Sequence, residues 1–217
     1  MEKSKQDNEK FKILCSVLPL LLIGHPLAKY VSNDRQTAWM YITGFYAVWI
    51  IVSLLIFVKR QDLKKMFALS ENWQWNLVFV PFVVLATLFI FIPNIRLLKW
   101  DYWLMLNIII CFVNPFMEEI YWRGLVSRIS NIPLYSYLFS TLTFAASHPL
   151  LFGVVSPGVA DWIGFAGTFF VGTLFWFCYY KTKSLRGCVI NHFLVDVASM
   201  AVFILADKAT LAPIKLN

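Results

Sequence analysis

The sequence predicts an all-α fold, a polytopic membrane helix bundle of about seven transmembrane helices, on three observations. Hydrophobic residues make up 59% of the 217 positions and charged residues only 14%, at a mean hydropathy of +0.67, whereas a soluble domain is nearer half apolar and a quarter charged. The apolar residues fall in runs close to the ~20 residues needed to cross ~30 Å of hydrocarbon. Lysines and arginines sit in short clusters between those runs, as loop charges of a membrane protein do. They form no patch interleaved with aromatics, so the net charge of +7 does not make nucleic acid a partner. The lipid bilayer is the expected surrounding, with no room for a separate soluble domain.

In chain order, residues 1–12 are polar and predict a mobile cytoplasmic tail. Spans one to three occupy 13–100. The first runs from Leu14 to Val31, with His25 beside Pro26 near its end, and no small-residue cleavage pattern marks it as a signal peptide. The second runs from Ala38 to Val58. Lys59 to Gln74 then breaks the pattern, and Leu63, Met66, Phe67 and Ser70 at helical spacing predict an amphipathic helix on the membrane surface near 59–74. Trp73 and Trp75 mark an aromatic belt at the start of span three, Trp75 to Ile95, which Arg96 and Lys99 close.

Spans four to seven occupy 101–206: Tyr102 to Val126, Asn131 through Leu151, Trp162 to Tyr180, and a last one after Arg186, with a short tail at 207–217. Gly164, Gly167 and Gly172 in span six predict close helix approach. Cys15, Cys111, Cys178 and Cys188 lie in or beside apolar runs, with no metal-ligand spacing, and read as buried small hydrophobes. With seven spans and a cytoplasmic N-terminus, 13 lysines and arginines fall inside and 6 outside, the orientation that the positive-inside rule favours.

Charge within these apolar runs is the functional signal, because a charged side chain at the centre of a bilayer costs ~2.5–3.5 kcal/mol even on insertion scales. Span four carries Glu118 and Glu119 side by side, four residues after Asn114, and Arg123 follows. Asn107, Asn114 and Glu118 share one helix face. Tyr137, Thr141, Phe144 and His148 share one on span five, and His192, Asp196 and Ser199 share one on span seven. Three such stripes predict a hydrated cavity between the helices. Glu119 and Arg123, four apart with the acid first, predict an ion pair that leaves Glu118, about 100° around the helix, for the cavity. There Glu118 suits a general base on water, with His148 sharing the water or passing the proton to a leaving amine. His192 suits a donor to the oxyanion of a tetrahedral intermediate. Asp196 either orients His192 or, protonated, donates itself; the orienting role is the favoured one.

Glu118-Glu119-x-x-x-Arg123, Phe144-x-x-x-His148 and His192-x-x-x-Asp196, in this order and each within an apolar segment, resemble the motif set of the CPBP family. These are the CAAX proteases and bacteriocin-processing enzymes, also called Abi or type II CAAX prenyl endopeptidases. The resemblance covers roughly residues 105–205. It implies a four-helix catalytic core in spans four to seven and a metal-independent intramembrane glutamic endopeptidase without cofactor. Glu118 and His148 would then activate water and His192 and Asp196 would line the oxyanion site, with Glu119, Arg123, Asn114, Phe144 and Asn191 in support. The last motif position, often asparagine in the family, is Asp196 here. The implied partner is a peptide or protein substrate in or at the membrane: a bacteriocin, a leader, a signalling peptide or a prenylated C-terminus. A bacterial cell membrane is the expected location.

Three rivals stand beside this reading. Two histidines and a glutamate suit a zinc protease, although no H-E-x-x-H motif is present. A bacteriocin self-immunity protein of the same fold would act by binding alone. A proton-coupled transporter also buries Glu, His and Asp, but here the polar residues are confined to the second half. One expectation conflicts with a shared site: centring each apolar run in the bilayer puts His148 on the order of 15 Å from the depth of Glu118.

Overall fold

The computed structural model describes residues 2–31, 35–97, 102–154 and 157–209. The protein is an all-α polytopic membrane bundle. Its helices are α1 (Glu2–Tyr30), α2 (Arg35–Phe57), α3 (Arg60–Met66), α4 (Val80–Ala86), α5 (Ile92–Asn94), α6 (Tyr102–Glu118), α7 (Pro133–Ser147), α8 (Pro157–Ala160), α9 (Trp162–Thr182) and α10 (Arg186–Ala209). Several continue through π or 3-10 turns, so that seven long rods result among the described residues. Five rods are long and apolar enough to cross a membrane: Asp7–Tyr30, Ala38–Phe57, Trp73–Asn94, Leu104–Ile129 and Trp162–Thr182. The other two are α7 with its π extension to Phe152, and α10.

Two of the expected boundaries move. The polar tail expected over residues 1–12 is already helix from Glu2 onward, because its run of Glu, Lys and Gln consists of good helix formers. The amphipathic helix expected near 59–74 is only α3, followed by turns and a 3-10 stretch from Trp73 to Phe79. α3 ends at Met66, and beyond it Ser70 accepts a hydrogen bond from the Asn72 N–H at 3.2 Å, a local bond that competes with helix. α3 also docks on the fold. The Leu185 N–H donates to the Met66 carbonyl at 2.7 Å, Ser184 Oγ to that of Ala68 at 2.7 Å and Arg186 Nε to that of Phe67 at 2.6 Å. Lys99 and residues 210–217 of the expected tail lie outside the described residues.

Outward-facing residues such as Leu22, Leu55 and Phe89 are more than 70% exposed, as side chains bathed in acyl chains would be. Packing inside therefore rests on close contact and hydrogen bonds rather than on escape from water. Ala38, Ile42, Tyr46 and Ile50, four residues apart, are the buried stripe of α2, and they meet Ile13, Val17 and Leu20 of α1. Both stripes then close on Tyr121, Trp122, Leu125, Phe144 and Leu151. Spans one and two thus hold spans four and five from behind. His25 belongs to this support, not to the chemistry: its Nδ1–H donates to the Leu150 carbonyl at 2.8 Å. Cys111, Cys178 and Cys188 are buried as expected, whereas Cys15 faces outward; none is in a disulfide.

The helix turns from α to π geometry at two places that matter. One π stretch, Glu119–Leu125, starts directly after Glu118, and the other, His148–Phe152, starts on His148. Pro149 lies in the first turn of the second and has no N–H to give the Ala145 carbonyl, and at its far end the Gly153 N–H reaches back five residues to His148 at 2.9 Å. Such bulges re-aim side chains and occur often at functional sites.

Candidate active site

A cavity of about 100 Å³ lies between spans two, four, five and seven. Span four contributes Asn107, Cys111, Asn114 and Glu118, span five His148, and span seven His192 and Asp196. The span-four and span-seven stripes thus meet as expected, apart from Ser199, whose hydroxyl donates to the carbonyl of Val195 at 2.7 Å. Of the span-five stripe only His148 lines the cavity. Phe144 is buried between both imidazoles, 4.8 Å from the His148 ring and 6.4 Å from the His192 ring. Tyr137 packs on Phe169 and Trp176 and hydrogen-bonds Thr173 at 3.0 Å.

The expected mismatch in depth shrinks when depth is counted from the turn that joins the two helices. Glu118 lies eleven residues before Ile129 and His148 fifteen after Pro133, a difference of about 6 Å at ~1.5 Å per residue. Side chains span that. Centring each apolar run separately was the error, because the span-four rod continues to Ile129.

Glu119 is the hub behind the cavity. Its Oε1 is 2.8 Å from His192 Nδ1 and 3.2 Å from Arg123 Nη1, and all three side chains are nearly inaccessible. The predicted Glu119–Arg123 pair therefore exists, and the carboxylate on His192 Nδ1 is that of Glu119, not that of Asp196. Asp196 Oδ1 instead faces the other nitrogen, Nε2, at 3.5 Å, opposite Glu118 Oε2 at 3.5 Å. An i+4 partner on the same helix reaches only the near side of the imidazole, so a neighbouring helix supplies the far one. The His192 ring stacks on Phe175 at 4.6 Å. His148 has its own anchor: Nδ1 lies 3.0 Å from the Phe144 carbonyl. A carbonyl holds no proton, so Nδ1–H donates, and in the neutral ring Nε2 carries the lone pair.

Asn191 stands outside the cavity. Its amide donates to the Asn76 carbonyl at 3.1 Å and ties span seven to the start of span three, which is support for the fold alone. Gly172 has the close approach expected of it; Gly167 faces open space. A Cβ at Gly172 would lie 2.9 Å from Phe144 Cδ1 and 3.2 Å from Thr141 Cγ2, and its carbonyl accepts from Arg123 Nη2 at 3.3 Å. Gly172→Ala should therefore destabilise the bundle by about 1–3 kcal/mol, as overpacking does, and disturb the ring between the two imidazoles. A thermal unfolding curve in detergent that matches wild type would contradict this.

Nothing in the sequence pointed to span two here. Trp39 and Thr43 line the cavity, with Phe152 and Val159 from the end of span five and beyond. Tyr46, one turn further along α2, accepts from Trp122 Nε1 at 3.0 Å and is within hydrogen-bonding reach of Glu118. No charge or motif on span two announced this, since Trp, Thr and Tyr are ordinary residues in membrane helices. Among the described residues, no three His, Cys, Asp or Glu side chains are arranged to hold a metal ion.

The family model described as type II CAAX prenyl endopeptidase Rce1-like matches residues 99–198. That segment carries all the cavity-lining acids and both cavity histidines. No curated protein and no solved structure matches the chain.

Proposed function

From the premise that residues 99–198 belong to the Rce1-like family of type II CAAX prenyl endopeptidases, we propose that the protein is a metal-independent glutamic endopeptidase. It hydrolyses a peptide bond of a substrate held in or at the membrane. The observation that carries this is the convergence of Glu118, His148, His192 and Asp196, from three helices, on one cavity.

Glu118 takes a proton from a water molecule, and the hydroxide oxygen adds to the scissile carbonyl carbon. His148, anchored through Nδ1, steadies that water through Nε2. The carbonyl becomes an oxyanion, and His192 in its doubly protonated form donates to it through Nε2 while Nδ1–H stays on Glu119. Asp196 keeps Nε2 turned toward the cavity. Collapse of the intermediate breaks the C–N bond, and the proton taken from water passes to the departing nitrogen. A carboxylic acid and an amine result, with nothing oxidised or reduced. The arrangement favours water activated by carboxylate over a zinc-bound water, because among the described residues no three His, Cys, Asp or Glu side chains are grouped as a metal would need. Dialysis against a chelator should accordingly leave the cleavage rate unchanged. A rate lost on dialysis and restored by Zn²⁺ would transfer the chemistry to a metal.

A bacterial member inserted with its N-terminus in the cytoplasm fits the basic loops, and a bacteriocin, leader or signalling peptide fits a site within a small membrane bundle. Peptide mass spectrometry of cells carrying wild type or Glu118→Ala tests both function and substrate. A precursor that accumulates only with the variant supports the peptidase. No accumulation, with biological function intact, would leave a protein that acts by binding.

A further inference from the structure

Span two lies outside the matched segment, yet α2 brings a second kind of chemistry to the cavity. Serine and threonine hydroxyls inside membrane helices ordinarily donate to the carbonyl one turn back. In this bundle Thr143, Thr168, Thr173, Thr182 and Ser199 all do so, at 2.6–2.8 Å. Thr43 does not. Its Oγ1 is buried and has no hydrogen-bond partner among the described residues, although the residue lines the same cavity as Glu118 and His148. The rotation of α2 is fixed by Tyr46, held by Trp122 and packed edge-on against Phe152 at 5.3 Å. Trp39, one turn before Thr43, packs against the same Phe152 at 5.6 Å. Thr43 is thus a cavity-lining residue whose hydroxyl its neighbours leave unsatisfied, and an unsatisfied buried hydroxyl is costly enough to need a reason.

We propose that Thr43 is a substrate-binding residue: its hydroxyl pairs with a backbone amide group of the peptide beside the scissile bond, and Trp39 forms the wall of that subsite. The inference rests on the peptidase reading above and extends it by placing the substrate backbone between span two and the Glu118–His192 side. A peptide backbone is the chemistry that fits, because a hydroxyl both donates to a carbonyl and accepts from an N–H, and Phe152 and Val159 of the same lining offer no competing polar partner.

The test compares cells carrying wild type, Thr43→Val, Thr43→Ser and Glu118→Ala, with peptide mass spectrometry of the membrane fraction and thermal unfolding of each purified protein in detergent. Valine keeps the shape and removes the hydroxyl; serine keeps the hydroxyl. Thr43→Val should accumulate the same precursors as Glu118→Ala, with conversion lowered roughly 10- to 100-fold, the scale of leaving one buried amide group of the substrate unpaired. Thr43→Ser should stay within about threefold of wild type. Thr43→Val should also unfold at the wild-type temperature or above it, because it removes an unsatisfied polar atom. A structural role predicts the opposite sign. Full conversion by Thr43→Val, or a lower unfolding temperature for it with Glu118→Ala still blocked, overturns this assignment and leaves the peptidase standing. Absence of any precursor with Glu118→Ala overturns both.

Discussion

Glu118→Gln is expected to reduce precursor cleavage by a factor of about 10²–10⁴, the usual range for loss of a general base, without loss of fold. The substitution changes one oxygen for an amide nitrogen in a side chain that is 1% exposed. Its Oε2 has no hydrogen-bond partner among the described residues, at 3.5 Å from His192 Nε2, so an amide nitrogen there breaks no bond that the fold depends on. The amide oxygen that remains can still accept from the Tyr46 hydroxyl. What the substitution removes is the capacity to take a proton from water. Glu118→Asp is the sharper control, since it keeps the acid but draws it back by one methylene. If position matters, aspartate should fall between glutamate and glutamine. A variant with glutamine that cleaves the precursor at the wild-type rate in a purified assay would end the case for Glu118 as the base, whatever the cavity looks like.

The contrast between what was and was not readable in the sequence follows from how each residue signals. Glu118, Glu119 and Arg123 stand out because charge in an apolar run is expensive, and His148, His192 and Asp196 because helical spacing sorts them onto faces. Their meeting in space needed only that four consecutive antiparallel helices pack together. Glu119 as the partner of His192 was not readable, because spacing along one helix pairs residues within it and says nothing of which neighbour lies across the gap. The π stretches at Glu119 and His148 were hidden too. Pro149 announced a break in the ladder, but whether a helix answers by kinking or by widening depends on what packs around it. Span two was the largest omission: Trp39, Thr43 and Tyr46 differ from neighbouring lipid-facing residues only in which way α2 is turned, and the burial of Ala38, Ile42, Tyr46 and Ile50 sets that.

Arg123→Ala should cost about 3–5 kcal/mol of stability, the range seen when one partner of a buried ion pair is removed, and abolish cleavage as well. Arg123 is 1% exposed. Its guanidinium sits 4.3 Å from the centroid of Phe144 and 5.0 Å from that of Phe175, besides its contacts to Glu119 and the Gly172 carbonyl. Desolvated cation–π contacts of this kind add to the pair. Without the arginine, Glu119 keeps a buried charge with His192 as its remaining close partner, and the ring that stacks on His192 loses its neighbour. Lysine should rescue poorly, because a point charge cannot serve Glu119 and Gly172 through a planar fork. The double variant Glu119→Gln/Arg123→Met separates the two consequences. It removes both charges, so a substantial part of the lost stability should return, seen as a rise in unfolding temperature in detergent over Arg123→Ala. Cleavage should not return with it, since the amide that replaces the Glu119 side chain no longer presents a carboxylate to His192 Nδ1. Recovery of activity together with stability would mean that Glu119 and Arg123 serve only to hold helices together, and the orientation of His192 would have to come from Asp196 after all.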